Sequence, residues 1–79
     1  MRIVDLISNK VIRVDVDEET TIGELIDTIK ETLRLPEDYL YSLVYGNREL
    51  GPDAHHLTLR DLGIMEGDEL QILGRPQGG

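Results

Sequence analysis

The segment TIGELIDTIKETLRL, residues 21–35, constrains the fold most, because it is an amphipathic helix pattern that a proline follows directly. Thr21 stands three residues before Glu24, the spacing of a capping box that satisfies backbone donors at a helix start. Pro36 disfavours helical angles in the residue before it, so the helix is expected to end there. The apolar residues recur at helical spacing on one face: Ile22, Leu25, Ile26, Ile29 and Leu33. A single helix with one apolar face needs another layer to pack against.

Two strand patterns precede the helix. Residues 1–7, MRIVDLI, contain enough apolar and β-branched side chains for a strand, and SNK after them predicts a turn. In residues 11–17, VIRVDVD, apolar and charged residues alternate with the period of two that a half-buried strand requires. The two strands are expected to form an antiparallel hairpin. Its register stays open, because Met1 and Ile3 compete with Val4 and Leu6 for the inward face. Asp5 fits poorly on that face, and a bulge is one way to reconcile the two patterns.

The second half of the chain supplies three more elements. Residues 40–50, LYSLVYGNREL, predict a strand, a turn at the GN dipeptide and a short returning strand. Residues 58–64, TLRDLGI, predict one capped helical turn, and residues 69–73, ELQIL, predict the last strand. This order is typical of an α+β fold of the β-grasp kind, a mixed sheet of four to five strands packed on one helix. We therefore expect one domain over residues 1–73, with the last strand beside the first, and a flexible tail over residues 74–79.

The composition and net charge exclude several classes of site and partner. The chain has 79 residues, no cysteine and a formal net charge of −8. Without cysteine there are no disulfides or thiolate sites, so 12 Leu, 8 Ile and 5 Val must supply an aliphatic core. The negative field repels phosphate backbones and anionic lipid, so we expect no nucleic acid and no membrane partner. No apolar run approaches the roughly 18 residues of a membrane span, and no signal peptide is recognised, so we expect a cytoplasmic monomer.

Four stretches resemble ubiquitin, and they come in the same order: LVYGNREL, TLRDLGI, EGDELQIL and the terminal GG. The resemblance covers nearly the whole chain and implies a protein modifier rather than an enzyme. In that family an activating enzyme adenylates the terminal glycine carboxylate with ATP and moves it to a cysteine thioester, and a conjugating enzyme delivers it to an amine of a target protein. The resemblance makes Gly79 the acyl donor and Arg75 the residue that the activating enzyme reads. Gly78 is a neighbour without a Cβ, which suits a narrow enzyme channel. The chain itself is expected to hold no cofactor.

The tail departs from the family at three positions. Gly74, Pro76 and Gln77 replace larger aliphatic and basic residues, which stiffens the backbone at the proline and removes one positive charge. Enzymes tuned to a eukaryotic tail are therefore expected to accept it poorly. The resemblance suggests a prokaryotic pathway with dedicated enzymes and a deconjugating metallopeptidase.

Alternation places a second candidate site on the outer face of the sheet. If Leu43 points inward, Val44 points outward on the same strand, and the last strand likewise leaves Gln71 and Leu73 outward. The resemblance matches Val44, Gln71 and Leu73 to the apolar binding patch of ubiquitin. Single exposed aliphatics are common on ordinary surfaces, so an incidental placement stays open.

Lys10 and Lys30 are the two lysines of the chain, so side-chain-linked chains of the modifier have these acceptors in addition to the amine of Met1. Arg48 stands near the position of the main chain-forming lysine of ubiquitin. Arginine stays protonated and cannot serve as an acceptor nucleophile. We therefore expect single modification more than long chains.

The remaining polar groups favour neither catalysis nor metal binding. His55-His56 lack the spaced ligand set of a structural zinc site and are expected to lie in a loop, so no metal is expected. The carboxylate pairs at 18–19 and 37–38 lie in polar turns, where solvated surface is the simpler interpretation.

Two other functions stay open. A β-grasp sulfur carrier uses the same terminal Gly-Gly, which is adenylated and converted to a thiocarboxylate that donates sulfur. A non-conjugated ubiquitin-like scaffold does not depend on that terminus, so the tail argues against a scaffold. The outer face around Val44 and Leu73 favours the modifier over the sulfur carrier.

Overall fold

The computed structural model describes residues 1–77. Its elements, in chain order, are β1 (Arg2–Asp5), β2 (Val11–Arg13), α1 (Ile22–Leu33), β3 (Tyr39–Tyr45), β4 (Arg48–Leu50), a 3₁₀ turn (Pro52–Ala54), α2 (Leu59–Leu62) and β5 (Glu69–Pro76). The five strands form one sheet in the order β2-β1-β5-β3-β4. Strands β1 and β5 are parallel, and the other neighbours are antiparallel. This mixed sheet with one main helix confirms the predicted α+β β-grasp fold, with the last strand central beside the first.

Helix α1 begins as its sequence predicts. The Thr21 side chain accepts a hydrogen bond from the Glu24 N–H, and the Glu24 carboxylate accepts one from the Thr21 N–H, each at 3.1 Å. The helix ends at Leu33, before the residues that Pro36 restricts. Arg34 adopts a left-handed φ of 53°, and the Leu35 N–H donates to the Lys30 carbonyl. A left-handed residue of this kind is a common helix terminator. The proline therefore follows a helix that has already stopped.

An aliphatic core joins the helix to one face of the sheet. The central strands contribute two register pairs, Ile3 with Leu70 and Leu43 with Ile72, all four at most 1% exposed. Burying one such side chain is worth about 1.5–3 kcal/mol relative to leaving it exposed. The side chains that are almost fully buried are Ile3, Ile22, Leu25, Ile29, Leu43, Leu59, Leu70 and Ile72. The core thus consists of the aliphatic residues that the composition offers.

The register of β1 that the sequence left open is the one with Met1 and Ile3 inward, and the expectation that Asp5 fits poorly on that face was wrong. Asp5 is 5% exposed and shares that face with Met1 and Ile3. It is the last residue of β1, so its carboxylate reaches the following turn, where it accepts hydrogen bonds from the Ile7 N–H and the Ser8 hydroxyl, each at 2.9 Å. A buried carboxylate is tolerated when such donors replace water.

Strand β5 continues beyond the predicted domain boundary at Leu73. Its register with β3 pairs Tyr41 with Gly74 and Tyr39 with Pro76. After the strand, the Gln77 N–H donates to the Asp38 carbonyl at 3.0 Å. Residues 74–77 therefore lie along β3, where the sequence analysis placed the start of a flexible tail. Within the described part of the chain, no helix is long and apolar enough to cross a bilayer.

Two carboxylates that accept hydrogen bonds from backbone N–H groups are expected to make stability sensitive to acid. The Met65 N–H and the Tyr45 hydroxyl hold the pKa of Asp68 below its ordinary value. The Thr58 N–H and hydroxyl lower the pKa of Asp61 in the same way. A lowered folded-state pKa contributes stability above the unfolded value of about 3.9, and that contribution is lost as the pH falls through the folded value.

We expect the urea midpoint to be constant from about pH 7 to 5 and to fall below about pH 4, because Asp61 and Asp68 then become protonated. Equilibrium unfolding across this range measures the effect. The Asp68→Asn variant should start from a lower midpoint and show a shallower acid decline. An acid decline of unchanged steepness in that variant would exclude Asp68 as a source of the pH dependence.

Candidate binding face and carboxyl-terminal strand

The structure brings the three predicted patch residues together on the outer face of the sheet. Val44 on β3 is the direct register partner of Gln71 on β5, and Leu73 follows Gln71 on the same face. Their neighbours Leu43 and Ile72 are buried on the opposite face, as strand alternation requires. Val44, Gln71 and Leu73 are each partly exposed. The geometry that the alternation predicted is therefore present, and its role in binding stays a prediction.

Two further apolar side chains extend this face. The Leu6 N–H donates to the Ile72 carbonyl, which places Leu6 beside Leu73, and the Leu6 side chain is 43% exposed. Leu40 is the register partner of Arg75 and is 47% exposed. Neither was singled out from the sequence. The period of two in β3 identifies Leu40, whereas Leu6 could be placed only once Asp5 was known to point inward.

Ion pairs border the apolar residues of the outer face. Arg75 Nη2 lies 2.9 Å from Glu49 Oε1, and the other Glu49 oxygen accepts a hydrogen bond from the Ser42 hydroxyl at 3.3 Å. Across the sheet, Arg2 Nε lies 3.1 Å from Glu69 Oε1. An apolar centre with a charged rim is the usual anatomy of a protein-binding surface. The predicted recognition residue Arg75 is thus part of this rim and is tied to β4.

Gly74 is required by the packing of two tyrosines. A Cβ on Gly74 would lie 2.7 Å from Tyr41 Cε1 and 3.2 Å from Tyr39 Cδ2. The first of these distances is shorter than any that Cβ atoms normally make. The two rings stack with centroids 6.1 Å apart, and the Tyr41 hydroxyl donates to the Pro36 carbonyl at 2.8 Å. Burial, reinforced by the neighbouring Tyr39, raises the pKa of Tyr41. The departure from the family at this position therefore has a local structural cause.

The two lysines occupy different environments. Lys10 is exposed in the turn between β1 and β2. Lys30 lies on α1, where its ammonium is 3.1 Å from Glu37 Oε2 and 5.7 Å from the centre of the Tyr41 ring. The Met1 amine donates to the Val14 carbonyl at 2.9 Å in a buried position. Of these three amines, the one on Lys10 belongs to an exposed residue, whereas the Met1 amine is buried and Lys30 contacts Glu37 and Tyr41.

The predicted loop role of the histidines agrees with their position after the 3₁₀ turn. The His55 carbonyl accepts a hydrogen bond from the Gly23 N–H at 2.9 Å, which ties the loop to the start of α1. His55 Nε2 is buried and has no hydrogen-bond partner. Residues 1–77 contain no group of three His, Asp or Glu side chains that could hold a metal ion. The predicted conjugation residues Gly78 and Gly79 lie outside the described residues.

A five-stranded mixed sheet packed on one main helix matches the ubiquitin-like β-grasp fold. Residues 3–73 match the family described as "Ubiquitin-2 like Rad60 SUMO-like", and the chain belongs to this ubiquitin-like family. Ubiquitin-like domains are small modifiers or scaffolds rather than enzymes, which confirms the prediction that the chain is not an enzyme. They act through contacts with enzymes and target proteins.

Two solved structures of ubiquitin-like proteins are similar to the fold of this chain. Ubiquitin from Caldiarchaeum subterraneum is similar, with a TM-score of 0.79 and 26% identity, over 99% of this chain and 94% of that one. The ubiquitin-like domain of yeast Ddi1 has the same fold, with a TM-score of 0.76 and 19% identity, over 99% of this chain and 90% of that one. A search of curated protein sequences gave no match.

Proposed function

We propose that the chain is a protein modifier that is activated at the carboxylate of Gly79 and joined to amines of target proteins. The observation that carries the proposal is that β5, the central strand of a ubiquitin-like domain, leads within three residues to Gly78-Gly79. The likeness to the archaeal ubiquitin, which extends over 99% of this chain, supports it. A ubiquitin-like scaffold has no need for such an ending.

The proposed chemistry is carried out by partner enzymes. The activating enzyme joins the Gly79 carboxylate to AMP from ATP and releases pyrophosphate. A cysteine thiolate of that enzyme then displaces AMP and forms a thioester, which passes to the conjugating enzyme. A target amine finally attacks the thioester, so that an amide forms and the thiol is released. A deconjugating peptidase hydrolyses the amide. The chain supplies the acyl group and binding surfaces, and no cofactor is bound by it.

Each described residue of the proposed site has a physical task. Arg75 offers a guanidinium that an enzyme carboxylate can bind with two parallel hydrogen bonds. Val44, Gln71 and Leu73 provide the face for noncovalent partners. Lys10 is the accessible acceptor if the modifier forms chains, and Lys30 is a poor one because Glu37 and Tyr41 engage it. Single modification remains our expectation, in a cytoplasmic and prokaryotic setting.

Deletion of Gly79 tests the proposal. The amino-terminally tagged chain expressed in its native host should give a ladder of higher-mass conjugates that survives boiling in detergent and reducing agent. The Gly79 deletion should remove the whole ladder, because the acyl donor has lost its position in the enzyme channel. The matched control is the Asn47→Ala variant, which changes an exposed turn residue far from the tail in sequence.

The same cells decide between the alternatives. The intact mass of the free chain shows whether it ends at Gly79 and whether the terminus carries oxygen or sulfur. A thiocarboxylate without a ladder would replace the modifier with the sulfur carrier. A ladder that persists after the deletion would contradict Gly79 as the acyl donor. A free chain that shows neither conjugates nor sulfur would contradict both and favour the scaffold.

A further inference from the structure

We propose that residues 74–77 form a releasable latch, held along β3, and that the latch must open before Gly79 can react. The inference rests on the proposed function, and it adds a step that regulates when the Gly79 carboxylate can react. We call these four residues the tail latch. They are the part of the chain between the outward-facing Leu73 and the terminal Gly-Gly.

The backbone of the tail latch is held on one side. The Leu6 N–H donates to the Ile72 carbonyl from the β1 side, whereas the Gln77 N–H donates to the Asp38 carbonyl on the β3 side. The N–H and C=O groups of one strand residue point to the same neighbouring strand, and those of the next residue point to the other. Residues 73, 75 and 77 therefore direct their N–H and C=O groups to β3. Pro76 falls on the other parity, so its missing N–H interrupts no bond to β3. The proline that stiffens the tail is therefore compatible with docking.

Two side-chain contacts hold the tail latch from opposite faces. On the outer face, Glu49 pairs with Arg75 at 2.9 Å. On the other face, the Tyr41 ring covers Gly74, where no Cβ fits. Both contacts are lost if residues 74–77 leave β3. They favour the docked state without making it permanent, because the ion pair is exposed and weak.

Docking limits how far the reactive carboxylate can reach. Two residues follow Gln77, and they span at most about 7 Å of extended chain. Release of residues 74–77 lengthens the free segment to six residues, which span about 20 Å. An enzyme channel deeper than about 7 Å therefore admits Gly79 from the released state, since the folded domain cannot enter it. The docked latch therefore withholds Gly79, and the released latch presents both Gly79 and an unpaired Arg75.

Two chemically different variants should open the tail latch. Glu49→Gln removes the ion pair while keeping the shape of the side chain, and amide exchange at Gln77 should speed up by about two- to fivefold. Gly74→Ala forces the Tyr41 ring away, and the exchange should speed up by about tenfold or more. Glu19→Gln is the matched control, because it removes the same charge and an exposed ion pair with Arg60, and it lies in the loop before α1 rather than on the outer face.

Exchange of the Arg75 and Gln77 amides is measured by NMR on the isolated chain, and early conjugate formation is measured in the native host after induction. The expected result is faster exchange and faster conjugation in both Glu49→Gln and Gly74→Ala, with neither change in Glu19→Gln. Unprotected Arg75 and Gln77 amides in the parent chain would overturn the latch. Conjugates that depend on Gly79 yet form at the parent rate in both opened variants would overturn the gating. If the parent chain forms no conjugates at all, the result contradicts the proposed function and, with it, the gating.

Discussion

Changing Val44 and Leu73 together to aspartate is expected to abolish noncovalent partner binding at the outer face while the domain stays folded. The two charges would lie at the centre of an apolar surface, where a partner could neither solvate nor pair them. Because both side chains are partly exposed, the cost in folding free energy is about 1 kcal/mol each. This lowers Tm by roughly 4–8 °C per kcal/mol and leaves a folded domain.

A photo-crosslinking residue placed at Gln71, between the two positions, measures the binding in the native host. The parent should give discrete crosslinked partners that Val44→Asp/Leu73→Asp loses, with circular dichroism reporting the Tm of each chain. The control is Met65→Asp/Thr32→Asp, which adds the same charges at a side chain 69% exposed and at an exposed position of α1, the helix on the opposite face of the sheet, and should keep the crosslinks. Equal crosslinking in both double variants would show that the face does not bind. Loss of cooperative unfolding would show that Val44 and Leu73 belong to the core.

The second large effect is expected from Gly74→Ala. A single methyl group there would overlap the Tyr41 ring, which its hydroxyl bond to the Pro36 carbonyl holds in place. We expect a loss of about 1–3 kcal/mol in unfolding free energy, the usual range for overpacking. Urea unfolding of the purified variants measures it.

Gly67→Ala is the matched control for that measurement. A Cβ on Gly67 meets no atom within 4 Å, and its backbone does not need a positive φ. Its unfolding free energy should stay within about 0.5 kcal/mol of the parent. Equal stability of the two alanine variants would mean that Tyr39 and Tyr41 do not pack on residue 74, and the tail latch would lose its inner contact.

The elements with strong local signals were predictable from the sequence. Both capping boxes, at Thr21 and at Thr58, form as their spacing indicated. The period of two placed Val44, Gln71 and Leu73 on one face, because one buried neighbour on each strand fixes the orientation of the rest. These predictions depend on contacts within a few residues or on simple alternation.

The features that were missed depend on contacts between distant parts of the chain. The register of β1 was left open because a carboxylate is costly to bury, yet the turn at Ile7 and Ser8 supplies the donors that make Asp5 acceptable on the inward face. The domain boundary was predicted at Leu73 because Gly74 and Pro76 follow it, whereas β5 continues to Pro76. Gly74 is in fact explained by tyrosines about 35 residues earlier in the chain, which local sequence cannot reveal.

A Gly-Gly remnant on lysines of other proteins is the most direct test of the proposed function. Trypsin cuts poorly between Arg75 and Pro76, so the unaltered chain leaves a remnant that begins after Arg60. Gln77→Arg introduces a cut directly before Gly78-Gly79, and it preserves the backbone N–H through which residue 77 bonds to Asp38. The account predicts remnants in the native host that disappear when Gly79 is deleted. Their absence from cells in which the free variant ends in an intact Gly79 carboxylate would contradict it.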